Sequence, residues 1–260
     1  PNMAQQRVVL ITAGASGIGR VIAESFIASG DTVHICDVNQ TSMDEFFEAN
    51  PSADGTLCDV SDVLQVNNLF DEVEALHGRL DVLVNNAGVA GPTAPVEDIE
   101  PCEWDKTIGV DLNGVFYCTR RAAPMIRAAK GCIINMSSNA GLFGFPLRSP
   151  YTAAKWAVIG LTKTWAMELG PEGVTVNAIC PGSVNGPRIE RVIEKDAEER
   201  GVSAGHIRDI YQRQSSMRTF IDSEDIAATI QFLCSPAGKH ISGQALAIDG
   251  HTEGLSNWVS

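Results

Sequence analysis

Val8-Val9-Leu10-Ile11-Thr12-Ala13-Gly14-Ala15-Ser16-Gly17-Ile18-Gly19 passes from an apolar run through a cluster of glycines into residues 18–28, where apolar side chains recur at helical spacing. Four uninterrupted apolar residues suit a strand covered on both faces, and the change of period marks a turn straight into a helix. A helix entered in this way points free N–H groups and the positive end of its dipole beyond the strand, while glycines let backbone come close to an anion. The unit therefore predicts a phosphate-binding turn.

The same rhythm continues outward from it. Apolar runs at 8–11, 32–36, 56–57, 80–84, 132–136, 174–179 and 245–248 alternate with helix-like stretches at 18–28, 42–49, 63–76, 104–129, 152–169 and 223–233. Parallel neighbours need crossovers, which are usually helices. The expectation is an α/β fold: a doubly wound parallel seven-stranded sheet with helices on both faces, in a single domain over residues 1–260. The longest departure is the charged segment 183–219, which predicts a functional loop or substrate lid.

Composition narrows the functions. With 19 Lys+Arg against 32 Asp+Glu, the net charge of −13 would repel phosphate backbones and anionic membranes, so neither nucleic acid nor membrane is an expected partner. No apolar run approaches the roughly 20 residues of a membrane span, and the N-terminal residues lack a signal-peptide pattern. The cysteines at 36, 58, 102, 118, 132, 180 and 234 are odd in number and mostly set in apolar strings. They read as reduced residues of a cytoplasmic protein, and without a CxxC or Cys/His cluster no metal site is expected.

At the end of the second strand, Asp37 lies 18 residues beyond Gly19, where a carboxylate can accept hydrogen bonds from both hydroxyls of an adenosine ribose. It would repel a 2′-phosphate, and Val38 supplies no cation, so NAD is expected over NADP. The fifth strand ends in Ser137-Ser138, and Tyr151-Thr152-Ala153-Ala154-Lys155 opens the next helix. Residues i and i+4 share a helix face, and a cation near a phenol favours its ionised form. Tyr151 could then exchange a proton with an alcohol or ketone while Ser138 hydrogen-bonds the substrate oxygen.

Taken together, Gly17-Ile18-Gly19, Cys58-Asp59-Val60, Asn85-Asn86-Ala87-Gly88, Ser138, Tyr151 with Lys155, and Pro181-Gly182 resemble the short-chain dehydrogenase/reductase family, of the single-domain Rossmann-fold type. The motifs stand in the family's order across nearly the whole chain, with Tyr151 thirteen residues after Ser138, also the family interval. The resemblance implies that Gly14, Ser16, Ile18 and Gly19 surround the pyrophosphate, Asp37 holds the adenosine ribose, and Asp59 and Val60 border the adenine. It implies that Asn86, Ala87 and Gly88 stabilise the central sheet and line the cofactor, and that Pro181, Gly182 and Val184 contact the nicotinamide. Tyr151 would be the acid/base, Ser138 the substrate-oxygen partner, and Lys155 the residue that binds the nicotinamide ribose and lowers the tyrosine's pKa. It also implies a homotetramer with an interface at the last helix and the strand near 245–250, and Trp258 in the terminal segment reaching a neighbour.

Three positions depart from the family. Ala13 replaces a glycine, tolerable if its backbone stays in the region open to L-residues. Asp111 stands where most members carry the asparagine of the catalytic tetrad, whose main-chain carbonyl holds a relay water; an aspartate keeps that carbonyl. Gly186 occupies the position of a common threonine, whose hydroxyl contact to the cofactor is missing. The expected activity is NAD-dependent interconversion of a secondary alcohol and a ketone, on a small molecule such as a sugar, polyol or hydroxy acid. Arg148 and Arg188 are placed to meet an anionic or polyhydroxylated substrate, although mixed charges at helical spacing also suit a solvated lid helix. Phe143 and Phe145 suit either a pocket wall or core packing. The alternatives are an NADP-linked reductase of 3-oxoacyl thioesters and a catalytically silent dinucleotide-binding sensor.

Overall fold

The computed structural model describes residues 6–256. Seven strands, β1 (Val8–Thr12), β2 (Thr32–Asp37), β3 (Asp54–Leu57), β4 (Val82–Asn85), β5 (Cys132–Met136), β6 (Thr175–Pro181) and β7 (Ala245–Ile248), form one parallel sheet in the order β3-β2-β1-β4-β5-β6-β7. Each expected strand is present, with ends shifted by at most a few residues. Nine helices accompany them among the described residues: α1 (Gly17–Ala28), α2 (Gln40–Ala49), α3 (Val63–His77), α4 (Pro101–Ile108), α5 (Gly114–Ala129), α6 (Ser149–Leu169), α7 (Pro187–Arg200), α8 (Ala204–Arg213) and α9 (Ser223–Leu233). None is long and apolar enough to cross a membrane.

Alternation along each strand divides the core into two layers. Val9 and Ile11 of β1, Val33 and Ile35 of β2 and Val84 of β4 pack beneath α1, α2 and α9, against Phe26, Phe46 and Ile230. Val8, Leu10, Leu83 and Ile133 face the other way, onto Phe70 of α3 and Ala122 and Ile126 of α5. Because both faces are covered, the strands read as continuous apolar runs. Phe26, Phe46 and Phe70 are fully buried, and each contributes on the order of 2 kcal/mol of transfer free energy.

The helices start where the sequence offers a cap. Asn39 accepts from Ser42 N (3.0 Å), Asp62 accepts from Leu64 N (2.9 Å), and Asp222 with Asp225 forms a reciprocal capping box at α9. Two expected stretches come out differently. Residues 104–129 are not one helix, since a π-helical turn, Gly109–Asn113, separates α4 from α5. The expected lid carries two helices, α7 and α8, joined through an apolar cluster of their own that includes Val192, Ile193, Ile207, Tyr211 and Phe220.

A polar cluster lies beneath the β2–β3 edge. His34 is fully buried; its Nδ1 is 3.2 Å from His77 Nε2 and its Nε2 is 2.9 Å from Thr56 Oγ1, which also donates to Glu72. Burial, reinforced by His77, pushes the His34 pKa down to about 4. The unfolded chain then takes up a proton near pH 6.5 that the folded chain refuses, so stability falls as pH drops from about 6.5 towards 4. From pH 7.5 to 5.0 this group should cost about 2 kcal/mol. Urea denaturation at the two pH values should show a shallower loss in His34→Gln than in the wild type; equal losses would rule His34 out as the cause.

Candidate active site

Strand order reverses about β1, whose neighbours are β2 and β4, and such a switch opens a crevice at the carboxyl ends of the strands. A cavity of about 540 Å³ lies there. Ser16–Gly19 line one end and Pro181–Arg188 border it, while Ser138, Tyr151 and Lys155 line the other end.

At the glycine end the chain is tightly folded. A Cβ on Gly19 would stand 2.1 Å from the Ala13 carbonyl oxygen, and one on Gly14 would stand 2.6 Å from the Ile35 side chain, so neither position admits a larger residue. Gly17 has φ +56 and open space around it. Unlike the caps of α2, α3 and α9, Ser16 makes no side-chain bond to the first turn of α1, whose residues Gly17, Ile18 and Gly19 line the cavity. This cradle fits a dinucleotide pyrophosphate. Ala13 has φ +50, so it does leave the region that L-residues prefer, contrary to the condition set for it above.

The other residues expected to meet the cofactor divide into two sets. Asn86, Gly88, Pro181, Gly182 and Val184 line the cavity with Ser16, Ile18 and Gly19. Gly14, Asp37, Asp59, Val60 and Ala87 lie outside its lining. Gly14 and Ala87 support it, through Gly14 N on Cys36 O (3.1 Å) and Ala87 N on Thr12 Oγ1 (2.9 Å). Asp37 accepts from Ala15 N (3.2 Å) and Asn39 N (3.1 Å), which fixes its carboxylate beside the glycine turn with lone pairs to spare. Asp59 folds back on Ser61, and buried Val60 packs so closely on Gly114 that a Cβ there would meet its Cγ2 at 2.6 Å. Gly186 has φ +141 at the entrance to α7, a conformation that excludes the threonine common in the family.

At the far end Ser138, Tyr151 and Lys155 do come together. The Ser137 hydroxyl donates to Lys155 O (2.8 Å), tying α6 to the end of β5. Lys155 is buried; its Nζ donates to Met136 O (3.0 Å) and lies 5.4 Å from the Tyr151 ring centre. Ser138 Oγ accepts from Ala140 N (3.1 Å), which sets the hydroxyl at the strand's end. The π-helical turn swings Asp111 fully inside, where Oδ1 accepts from Val89 N (2.7 Å) and Oδ2 has no hydrogen-bond partner. Burial raises the Asp111 pKa, and Lys155 and Arg188 oppose that rise.

Sequence reasoning assigned the activation of Tyr151 to Lys155 alone. Two arginines share it. The Arg148 guanidinium lies 4.8 Å and that of Arg188 5.8 Å from the Tyr151 ring centre. Burial would raise the phenol's pKa, but Arg188, Lys155, the Ser138 hydroxyl and Arg148 together bring it below its ordinary value. Phe145 joins the wall beside Arg148, whereas Phe143 offers its carbonyl to Trp156 Nε1 (3.4 Å).

With this geometry in hand, comparison with known proteins is informative. Residues 12–252 match the family model described as Enoyl-(Acyl carrier protein) reductase. The chain is 36% identical over 249 residues to a 3-oxoacyl-[acyl-carrier-protein] reductase of Thermotoga maritima, covering 94% of this chain and 96% of that protein. It is 36% identical over 255 residues to a trans-4-hydroxycyclohexanecarboxylate dehydrogenase of Sinomonas cyclohexanicum, covering 94% and 92%. The crystal structure of an NAD+-bound xylitol dehydrogenase superposes with a TM-score of 0.88 at 27% identity, covering 93% of this chain and 97% of that one.

The positive φ at Ala13 has a measurable consequence. Ala13→Gly should stabilise the protein by up to about 1 kcal/mol, the strain relieved less the entropy of a freer unfolded chain. Equilibrium denaturation checks this, and a loss of stability would mean that the methyl packs usefully.

Proposed function

The chain belongs to the short-chain dehydrogenase/reductase family of NAD(P)-dependent alcohol and ketone oxidoreductases, and from that premise we propose that it uses NAD to interconvert a secondary alcohol and a ketone, with Tyr151 as acid/base. The observation that carries this reading is the Tyr151 phenol held among Lys155, Arg148 and Arg188 at the carboxyl ends of the strands, in one cavity with the glycine cradle. Bound NAD would supply the hydride acceptor. Gly14, Ser16, Ile18 and Gly19 would hold its pyrophosphate, Asp37 its adenosine ribose, Lys155 its nicotinamide ribose, and Pro181, Gly182 and Val184 its carboxamide end. Asp59 and Val60 would border the adenine.

In the oxidising direction Tyr151, as phenolate, takes the hydroxyl proton while Ser138 donates a hydrogen bond to the same oxygen. In reduction the phenol returns that proton. The surrounding cations favour the phenolate and bring the exchange closer to neutral pH than a free phenol would allow. Asp111 holds the loop carrying Gly88 and Val89 against Lys155 and keeps the main-chain carbonyl expected to serve the proton relay.

The substrate belongs among sugars, polyols and hydroxy acids. A relative that acts on trans-4-hydroxycyclohexanecarboxylate and a structural neighbour named for xylitol support this range. The functional unit is a homotetramer, and Phe232 of α9, 48% exposed, supports an interface on that helix. Trp258, also expected to reach a neighbour, lies outside the described residues.

Tyr151→Phe should lower kcat at least about 100-fold while leaving NADH fluorescence titrations unchanged; full turnover in this variant would overturn the assignment. NAD should surpass NADP by about tenfold or more in kcat/KM, and Asp37→Ser should narrow that gap by removing the like charge. Equal or better rates with NADP, or activity confined to acyl thioesters, would replace this reading with that of a thioester reductase.

A further inference from the structure

The sequence contains thirteen arginines. Eight have a carboxylate within 4.0 Å, and Arg120, Arg191 and Arg218 are open to water. Arg148 and Arg188 fit neither group. Both line the cavity; Arg148 is 3% exposed and Arg188 part-buried, and among the described residues neither has a carboxylate within ion-pair distance. Arg148 donates from Nη2 to Ala90 O (2.7 Å), but its Nε is buried with no partner. Among the described residues Arg188 reaches only the Gly88 carbonyl, at 3.5 Å.

Withdrawing two guanidiniums from water without a counter-ion is unfavourable, the more so in a protein with 32 carboxylates from which to draw one. The nearby Asp111 does not supply it. Its Oδ1 is taken by Val89 N and it makes no ion pair with either arginine, while Lys155 adds a third cation to the cluster. Phe145, beneath Arg148, and Ile189, Val192, Tyr211 and Phe220 give the same cavity an apolar part. An apolar body would pack against these side chains while a charged group met the guanidiniums.

We infer that Arg148 and Arg188 form a carboxylate-binding subsite, and that the substrate is a short hydroxy acid with an apolar body. The guanidinium fork matches a carboxylate in geometry as well as charge. Because both heads lie within 6 Å of the Tyr151 ring centre, the carboxylate must stand only a few bonds from the reacting carbon, as in a 2- or 3-hydroxy acid. In the reaction the carbinol C–H leaves as hydride to NAD+, the O–H proton passes to Tyr151, and the products are the oxo acid and NADH. The inference rests on the dehydrogenase reading and adds the substrate's charge and polarity to it.

The test uses the full-length protein with NAD and a panel of C4–C8 2- and 3-hydroxy acids, each paired with its carboxamide, beside xylitol and other polyols. The wild type should prefer acid to amide by about 100-fold or more in kcat/KM. Arg188→Gln and Arg148→Lys should each raise KM for the acid and shrink the acid-to-amide ratio by about tenfold or more. Malonate, a non-reacting dianion, should raise the melting temperature of the cofactor-free wild type more than that of Arg188→Gln, a readout independent of turnover. Amides turned over as well as acids, or a ratio that survives both substitutions, would overturn the subsite. So would variants that lose NADH binding with an unchanged ratio, since the arginines would then serve the cofactor. Polyols oxidised with hydroxy acids inert would sink this inference alone and leave the dehydrogenase reading intact; NADH bound without turnover of any alcohol would sink both.

Discussion

The Thr12 hydroxyl accepts the backbone N–H groups of both Asn86 and Ala87 at 2.9 Å, while the Asn86 side chain donates to the Thr12 and Ala13 carbonyls at 3.1 and 3.3 Å. These bonds join the ends of β1 and β4, the two strands between which the sheet changes direction. Two sides of the cavity leave from that junction. The glycine turn departs from one side of it, with the Ala13 carbonyl so close to Gly19 that α1 can begin at only one angle. The segment leading to Gly88 and Val89 departs from the other, and Asp111 anchors it beside Lys155. A hydroxyl, a carboxamide and a handful of backbone groups thus join the phosphate cradle to the segment beside Lys155, while α6, tied to the end of β5, carries the proposed acid/base.

At the chemical end, burial and charge oppose each other and charge prevails. A phenol enclosed by protein would ordinarily hold its proton more tightly, yet three cations around one ring reverse the outcome for Tyr151. The same enclosure acts on Asp111 in the same sense, and there burial outweighs the neighbouring cations and raises the carboxyl's pKa. Three cations thus gather around one phenol in a chain whose overall charge is −13. Local arrangement, not composition, governs the site.

Much of this was legible in the amino-acid order. Continuous apolar runs marked the strands because a doubly covered parallel sheet demands them, and Val8–Gly19 announced both the sheet and the cradle. Ser138, Tyr151 and Lys155 followed from spacing. What remained hidden depended on backbone detail. The π-helical turn carries no composition signal, since one extra residue in a helical turn leaves the apolar period on either side intact; it shows only in the inward position of Asp111. The strain at Ala13 and the need for glycine at 186 are φ values, which sequence reports only indirectly. In the lid, Ile189, Val192, Ile193 and Ala197 sit at helical spacing, but the charged residues among them masked the stripe. Arg148 was read only as a residue facing the substrate, because nothing in a sequence shows that its guanidinium lies 4.8 Å from the ring of a neighbouring phenol.

The apolar cluster of α7 and α8 shares no buried residue with either layer of the central sheet. Substitutions within it can reshape the cavity wall without disturbing the strands that carry the serine, the tyrosine and the lysine. Arg188, at the start of α7, belongs to the part that can change, and Arg148, just before α6, to the part that cannot. Divergence in such a scaffold is uneven: an ancestral chemistry can be inherited intact while one detachable pair of helices is retailored for each new molecule it meets.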